Sequence, residues 1–136
     1  MKSAPTETLQ TLAQEIIKVA PDGWARITLK ASAATGTLRS RLSADLYDGS
    51  VDSLLELDFD GEDACMKLRE QMYDLDSGVW YNAIFVVSAS GDIEADFDYT
   101  NPPLNGDPPD DLMKRDQARF PRLVENLPDW HPSKNS

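Results

Sequence analysis

Four carboxylates occupy alternate positions in one short segment: Asp92, Glu94, Asp96 and Asp98, with Ile93, Ala95, Phe97 and Tyr99 between them. A period of two places the acids on one side of a β-strand and the apolar residues on the other. Such a row can hold a divalent cation, supply an acid–base pair, or attract a cationic surface on another molecule. Residues two apart on a strand lie about 7 Å apart, too far for one ion to take three of them. Acid–base work of the glycosidase kind needs a carboxyl of raised pKa in a cleft, which a strand pattern does not supply. Attraction remains. Four like charges on one side of a strand repel one another, a cost that folding alone does not select, since a strand built only for stability mixes Lys with Glu.

The setting of the row strengthens this reading. Over 136 residues the chain carries 13 Lys and Arg against 24 Asp and Glu, a net charge of −11. Between Leu42 and Met113 there are 18 acids and two bases, Lys67 and Arg69, and from Glu70 to Met113 no base at all. A block of this kind draws in cationic partners and speeds encounter with them, and it disfavours nucleic acid, whose phosphates need Lys and Arg. The plainer alternative is a solvated surface that keeps the chain soluble.

Other chemistry finds little support. The single cysteine, Cys65, excludes a disulfide framework or cysteine cluster, and the single histidine, His131, excludes a multi-histidine metal site. Cys65 falls on the apolar stripe of a helix and reads as a buried thiol, while His131, between Trp130 and Pro132, reads as part of a fraying tail. The run Asp58-Phe59-Asp60-Gly61-Glu62-Asp63 resembles a calcium loop but lacks its register and terminal glutamate. Thr35-Gly36 lacks the lysine of a phosphate loop, and no Gly-x-Ser-x-Gly is present. The expectation is a chain with no catalytic residue, no metal and no cofactor.

The elements that must position the acids follow from periodicity. Leu9, Leu12, Ala13, Ile16 and Ala20 recur at helical spacing, predicting a helix over 6–20 with Thr6 as its cap and Pro21 at its end. Trp24 to Ala34 alternates weakly, Thr35-Gly36 turns, Leu38 to Tyr47 alternates, and Asp48-Gly49 is a hairpin signal before Val51 to Phe59. Three strands on short turns form an antiparallel meander. A second helix, capped by Asp60 or Asp63, carries Cys65, Leu68, Met72 and Leu75 and stops at Ser77-Gly78. Strand four, Val79 to Ser88, is apolar on both faces and should be central in the sheet, or at least covered on both sides. Ser90-Gly91 turns into strand five, Asp92 to Tyr99. After a proline-rich loop, 101–109, a third helix runs to about Arg119, and Pro121 kinks or restarts it. The order α-βββ-α-ββ-α predicts an α+β fold: a five-stranded antiparallel sheet with helices packed on it, one domain over residues 1–130, then a flexible tail over 131–136. The acids must lie beside either Ala83, Phe85 and Val87 or Trp80, Ile84 and Val86. The longest apolar runs are too short to span a membrane, and the polar N-terminus lacks the apolar core of a signal peptide, so the expected compartment is the cytoplasm.

Several short motifs point further. Val19-Ala20-Pro21-Asp22-Gly23-Trp24 after an amphipathic helix, then Val79-Trp80-Tyr81-Asn82-Ala83-Ile84-Phe85, Ser90-Gly91 and Phe97-Asp98-Tyr99, resemble the signatures of the YezG-like (EsaG-like) immunity proteins. Element order resembles that family over roughly residues 6–125, with a shorter second helix and the 101–109 loop as departures. The resemblance implies a cytoplasmic antitoxin that binds the toxic domain of a secreted nuclease, often exported by a type VII system. It brings no catalytic residue, and Trp24, Trp80, Asp98 and Tyr99 are the matching positions. The acid row fits independently, because a nuclease binds phosphate through basic residues and its inhibitor should present clustered carboxylates. The expected partner-contacting residues are Asp58, Asp60, Trp80, Asp92, Glu94, Asp96 and Asp98, facing a basic toxin domain, with no nucleic acid and no membrane involved. A non-catalytic adaptor or secretion-chaperone domain is the competing expectation.

Overall fold

A computed structural model describes residues 2–135. Its elements are α1 (Thr6–Lys18), β1 (Trp24–Ala34), β2 (Thr37–Leu46), β3 (Val51–Leu55), α2 (Phe59–Gln71), β4 (Asn82–Ser88), β5 (Ile93–Asp98) and α3 (Asp110–Arg119). The strands form one sheet in the order β3-β2-β1-β4-β5, every neighbouring pair antiparallel. This is the α+β architecture that the element order predicts.

One face of the sheet is covered; the other is open except at its Ala34 end, where Leu104, Leu112 and Met113 pack. Ile27, Leu29, Ala31 and Ala33 of β1, Leu42 and Ala44 of β2, and Ala83, Phe85 and Val87 of β4 meet Leu12, Ala13 and Ile16 of α1 and Ala64, Cys65, Leu68 and Met72 of α2. Each set repeats with the period of its element, two on the strands and three to four on the helices. Burying such side chains contributes roughly 1.5–3 kcal/mol for each large one, which fixes which face each strand turns inward. Gly61 permits the approach at the start of α2, since a Cβ there would collide with the Leu57 side chain.

Several boundaries differ from expectation for identifiable reasons. Helix α1 starts on Pro5, which has no side chain able to cap it, and ends at Lys18, with Val19 and Ala20 closing the last turn through their N–H groups. Strand β3 stops at Leu55 rather than Phe59, because the Asp58 carboxylate accepts from Gly61 N–H at 3.0 Å and caps α2 there. That helix ends at Gln71, leaving Leu75 exposed. Strand β4 starts at Asn82, not Val79; Val79, Trp80 and Tyr81 are buried, and the Trp80 carbonyl accepts from Arg69 instead of from a strand. Beyond Pro121 a single 3-10 turn, Val124–Asn126, replaces a restarted helix.

Sheet, α2 and α3 are joined by a buried ion pair. Arg69 and Asp116 are 1% and 3% exposed. The guanidinium donates to both carboxylate oxygens, at 2.9 and 3.0 Å, while its Nε donates to the Trp80 carbonyl at 2.7 Å. Thr35 Oγ1, in the β1–β2 turn, donates to Asp116 at 2.8 Å. A second buried arginine, Arg122, donates to the carbonyls of Tyr99 at 2.9 Å and Val79 at 3.2 Å, with its guanidinium 4.9 Å from the Tyr81 ring centre. Gly78, with φ +66°, leaves it room: a Cβ would stand 2.8 Å from Arg122 Nε.

The segment expected to be a loose tail is fastened. His131 is 3% exposed and lies beside the rings of Trp130 and Tyr81. Its Nδ1 accepts from Ser133 N–H at 3.1 Å, and Lys134 Nζ donates to the carbonyls of Glu125 and Leu127. Trp130 Nε1 donates to Thr100 O. Ala34, Tyr81, Leu104, Leu112 and Met113 form a small second core beneath this segment.

Two measurements check this account. Arg69→Met strands the Asp116 charge in the interior and should lower the unfolding free energy by about 3–5 kcal/mol, with Arg69→Met/Asp116→Leu recovering most of it in urea titrations. Burial lowers the His131 pKa below its ordinary 6.5. The unfolded chain therefore binds the proton first, so His131 contributes stability fully above about pH 6.5 and loses it as the pH falls towards the lowered value. A His131→Gln variant should show a flatter stability profile between pH 7 and 5 than the parent.

Candidate functional site

The uncovered face of the sheet is built by register. Cross-strand pairing sets its side chains in rows: Ser43, Thr28, Val86 and Glu94 in one, Arg41, Lys30, Ile84 and Asp96 in the next, Arg39, Ser32, Asn82 and Asp98 in the third. A further row brings Asp45 beside Arg26, which donates to it at 2.9 Å. Read across the strands, the face changes character. β5 gives acids, β4 gives Val86 and the 41% exposed Ile84, and β1 and β2 give bases. Of the two arrangements left open by the pattern, the acids thus share a face with Ile84 and Val86 but not with Trp80. Of the two expectations for strand four, the structure shows the first, a position inside the sheet between β1 and β5; it is not covered on both faces, since only its Ala83, Phe85 and Val87 face is roofed.

The acids are in different states. Glu94 and Asp96 are exposed, and neither makes an ion pair with Lys or Arg among the described residues. Asp92 lies in the β4–β5 turn, outside the strand, and accepts from Ser90 Oγ at 2.9 Å. Asp98 is committed to the chain. Its carboxylate accepts from Thr100 N–H at 2.9 Å, Asn101 N–H at 3.0 Å and Asn101 Nδ2 at 2.8 Å. Partial burial works against its ionisation, but these hydrogen bonds outweigh it and hold the carboxyl below the usual aspartate range.

The remaining expected contact residues lie elsewhere. Asp58 caps α2 and stands 3.7 Å from Lys18, and Asp60, exposed, lines a groove between α1 and α2 with Glu15 and Lys67. Both belong to the helical layer and are not brought together with the β5 acids. Trp80 is 0% exposed, with its ring 5.8 Å from that of Phe97 and the Arg69 guanidinium 5.9 Å away. As a partner-contacting residue it is corrected: it is a core side chain. Cys65 is buried as expected, and burial pushes its thiol up to about 12. Among the described residues no three His, Cys, Asp or Glu side chains come together to hold a metal ion, and no helix is long and apolar enough to cross a membrane.

The cations of the open face are the functional candidates that residue types alone did not bring forward. Lys30, Arg39 and Arg41 are exposed and make no ion pair among the described residues. They line a trough of about 610 Å³ with Ile84, Asn82 and Asn105. Asn105 stands at its rim, next to Leu104, whose N–H donates to Ser32 Oγ at 2.6 Å; both residues adopt left-handed backbone, φ 56° at Leu104 and 64° at Asn105. The available signal was parity: Lys30 lies an even number of residues from Arg26, and Arg39 and Arg41 share a side of β2.

Structural and unspent acids are separable by stability. Asp98→Asn should cost about 0.5–1.5 kcal/mol through lost acceptor capacity. Glu94→Gln and Asp96→Asn should stay within about 0.5 kcal/mol of the parent or gain slightly by relieving repulsion. Urea denaturation of the three variants checks the order. No protein-family model matches the chain, and no curated protein matches it.

Proposed function

We propose that this chain is an immunity protein: it binds a cationic toxin domain of nuclease type on the β5 side of the open face and neutralises it without turnover. One observation carries the reading. Glu94 and Asp96 stand exposed and without a basic partner among the described residues, next to the exposed Ile84 and the half-buried Val86. Clustered carboxylates speed the approach of a basic protein, and an adjacent apolar strip supplies area to be desolvated once contact is made. A nuclease must carry Lys and Arg where it holds phosphate, so an inhibitor that competes for that surface needs this arrangement. The motifs that resemble those of the YezG-like immunity proteins support the same reading, and action in the cytoplasm, where such a toxin does its harm, is part of the proposal.

The single cysteine, the single histidine and the buried aspartate are each engaged within the fold, in keeping with a binding role. Cys65 is in the core, and His131 is packed against aromatic rings at the end of the chain. Asp116 is saturated by Arg69 and Thr35.

Co-expression with the toxin encoded beside it tests the proposal. The parent should restore growth and co-purify with the toxic domain in a stable complex. Glu94→Lys/Asp96→Lys should slow association by about tenfold or more and weaken its dependence on salt, with the dissociation rate changed less. An unchanged on-rate removes the β5 acids from the interface; survival without a complex removes the immunity reading.

A further inference from the structure

The basic trough has a separate meaning. Lys30 and Arg41 are direct cross-strand partners, and Arg39 follows two residues along the same side of β2. Like charges directly opposite one another on a sheet are destabilising, and no carboxylate among the described residues relieves these three. Four other cations are ion-paired, Lys18 with Glu15, Arg26 with Asp45, Arg69 with Asp116 and Arg119 with Glu70, and Arg122 and Lys134 donate to carbonyls; Lys67, Lys114 and Arg115 also lack an ion pair among the described residues but do not line the trough. A chain of net charge −11 thus leaves three cations unsatisfied together in a concave site, beside the exposed Ile84 and a rim residue, Asn105, in left-handed backbone.

We propose that this trough docks an acidic segment of a protein partner in extended conformation, its carboxylates on Lys30, Arg39 and Arg41 and an apolar side chain on Ile84. Alternate side chains of an extended peptide repeat at about 7 Å, the spacing of Arg39 and Arg41 along β2. Arginine forks donate to both oxygens of a carboxylate in bidentate geometry. Nucleic acid fits less well. No aromatic side chain lines the trough to stack a base, three cations give few phosphate contacts, and the acids of β5 lie two strands from Lys30, roughly 10 Å away. The proposal does not depend on the identity of the partner that meets β5. Where both hold, one partner lays a basic strip on β5 and an acidic segment in the trough.

The test uses the full chain and a fluorescein-labelled peptide in which Glu, Glu and Leu occupy successive alternate positions with Ser between them, so that all three side chains share one face, followed by anisotropy at low salt. Saturable binding is expected. It should weaken roughly tenfold or more in Lys30→Glu/Arg41→Glu, several-fold in the milder Lys30→Gln/Arg41→Gln, and less than about twofold in Lys114→Glu on α3, with circular dichroism confirming the fold of each. A peptide with Gln in place of Glu should lose most of the binding. Equal binding of the Gln peptide, indifference to both double variants, or tighter binding of an octathymidine oligonucleotide overturns the proposal. None of these results requires the toxin, so the trough can fail while the immunity reading stands, and the reverse.

Discussion

The Arg69–Asp116 pair is the interaction on which the arrangement of the whole chain depends. Neither side chain is accessible to water, so each charge is tolerable only because the other is present in fork-to-carboxylate geometry. The pair does more than cancel charge. Through Trp80 O and Thr35 Oγ1 it ties α2 and α3 to the entry of β4 and to the β1–β2 turn. Those two points fix where β4 begins and where β1 reverses, and so which residues of both strands face outward. Arg122 repeats the device with carbonyls alone, gathering the chain at Val79 and Tyr99 from either end of the β4–β5 unit. Buried polar joints of this kind are directional where apolar contacts are not, and here they set register.

This explains which parts of the fold could be read from residue types. The stripe Leu12, Ala13, Ile16 and the alternation of β5 depend only on near neighbours in sequence, and both elements appear where periodicity puts them. The start of β4 does not. Val79 and Trp80 are as apolar as any strand residue, but the Trp80 carbonyl is taken by Arg69, 11 residues before it, and the Val79 carbonyl by Arg122, 43 residues after it, and no local pattern records that. The C-terminal segment misled for a similar reason. Pro128, Pro132 and the polar residues around them look like a fraying end, but Tyr81 and Trp130 offer ring faces against which His131 packs.

The site was legible by half. Alternation identified Glu94 and Asp96, and their place beside Ile84 and Val86 was one of two arrangements the hairpin allowed. Alternation cannot separate those two from Asp92 and Asp98, because the difference lies in the turn before β5 and the loop after it, where Ser90, Thr100 and Asn101 supply donors. Nor can it assemble Lys30 with Arg39 and Arg41, which come from two strands and become neighbours only through pairing. A face with acids on one margin and bases on the other is a property of register, and neither strand shows it alone.

Strand β5 closes the sheet on its free side. Its outer backbone N–H and C=O groups have no strand beyond them, and charged side chains on such an edge discourage another chain from adding to it. The acids that would greet a cationic protein are therefore also the sheet's guard against polymerising. Once a partner's lysines cancel them, that guard is gone from the very edge that needs it. Any protein that neutralises β5 must then roof the edge with its own bulk as well as its charge.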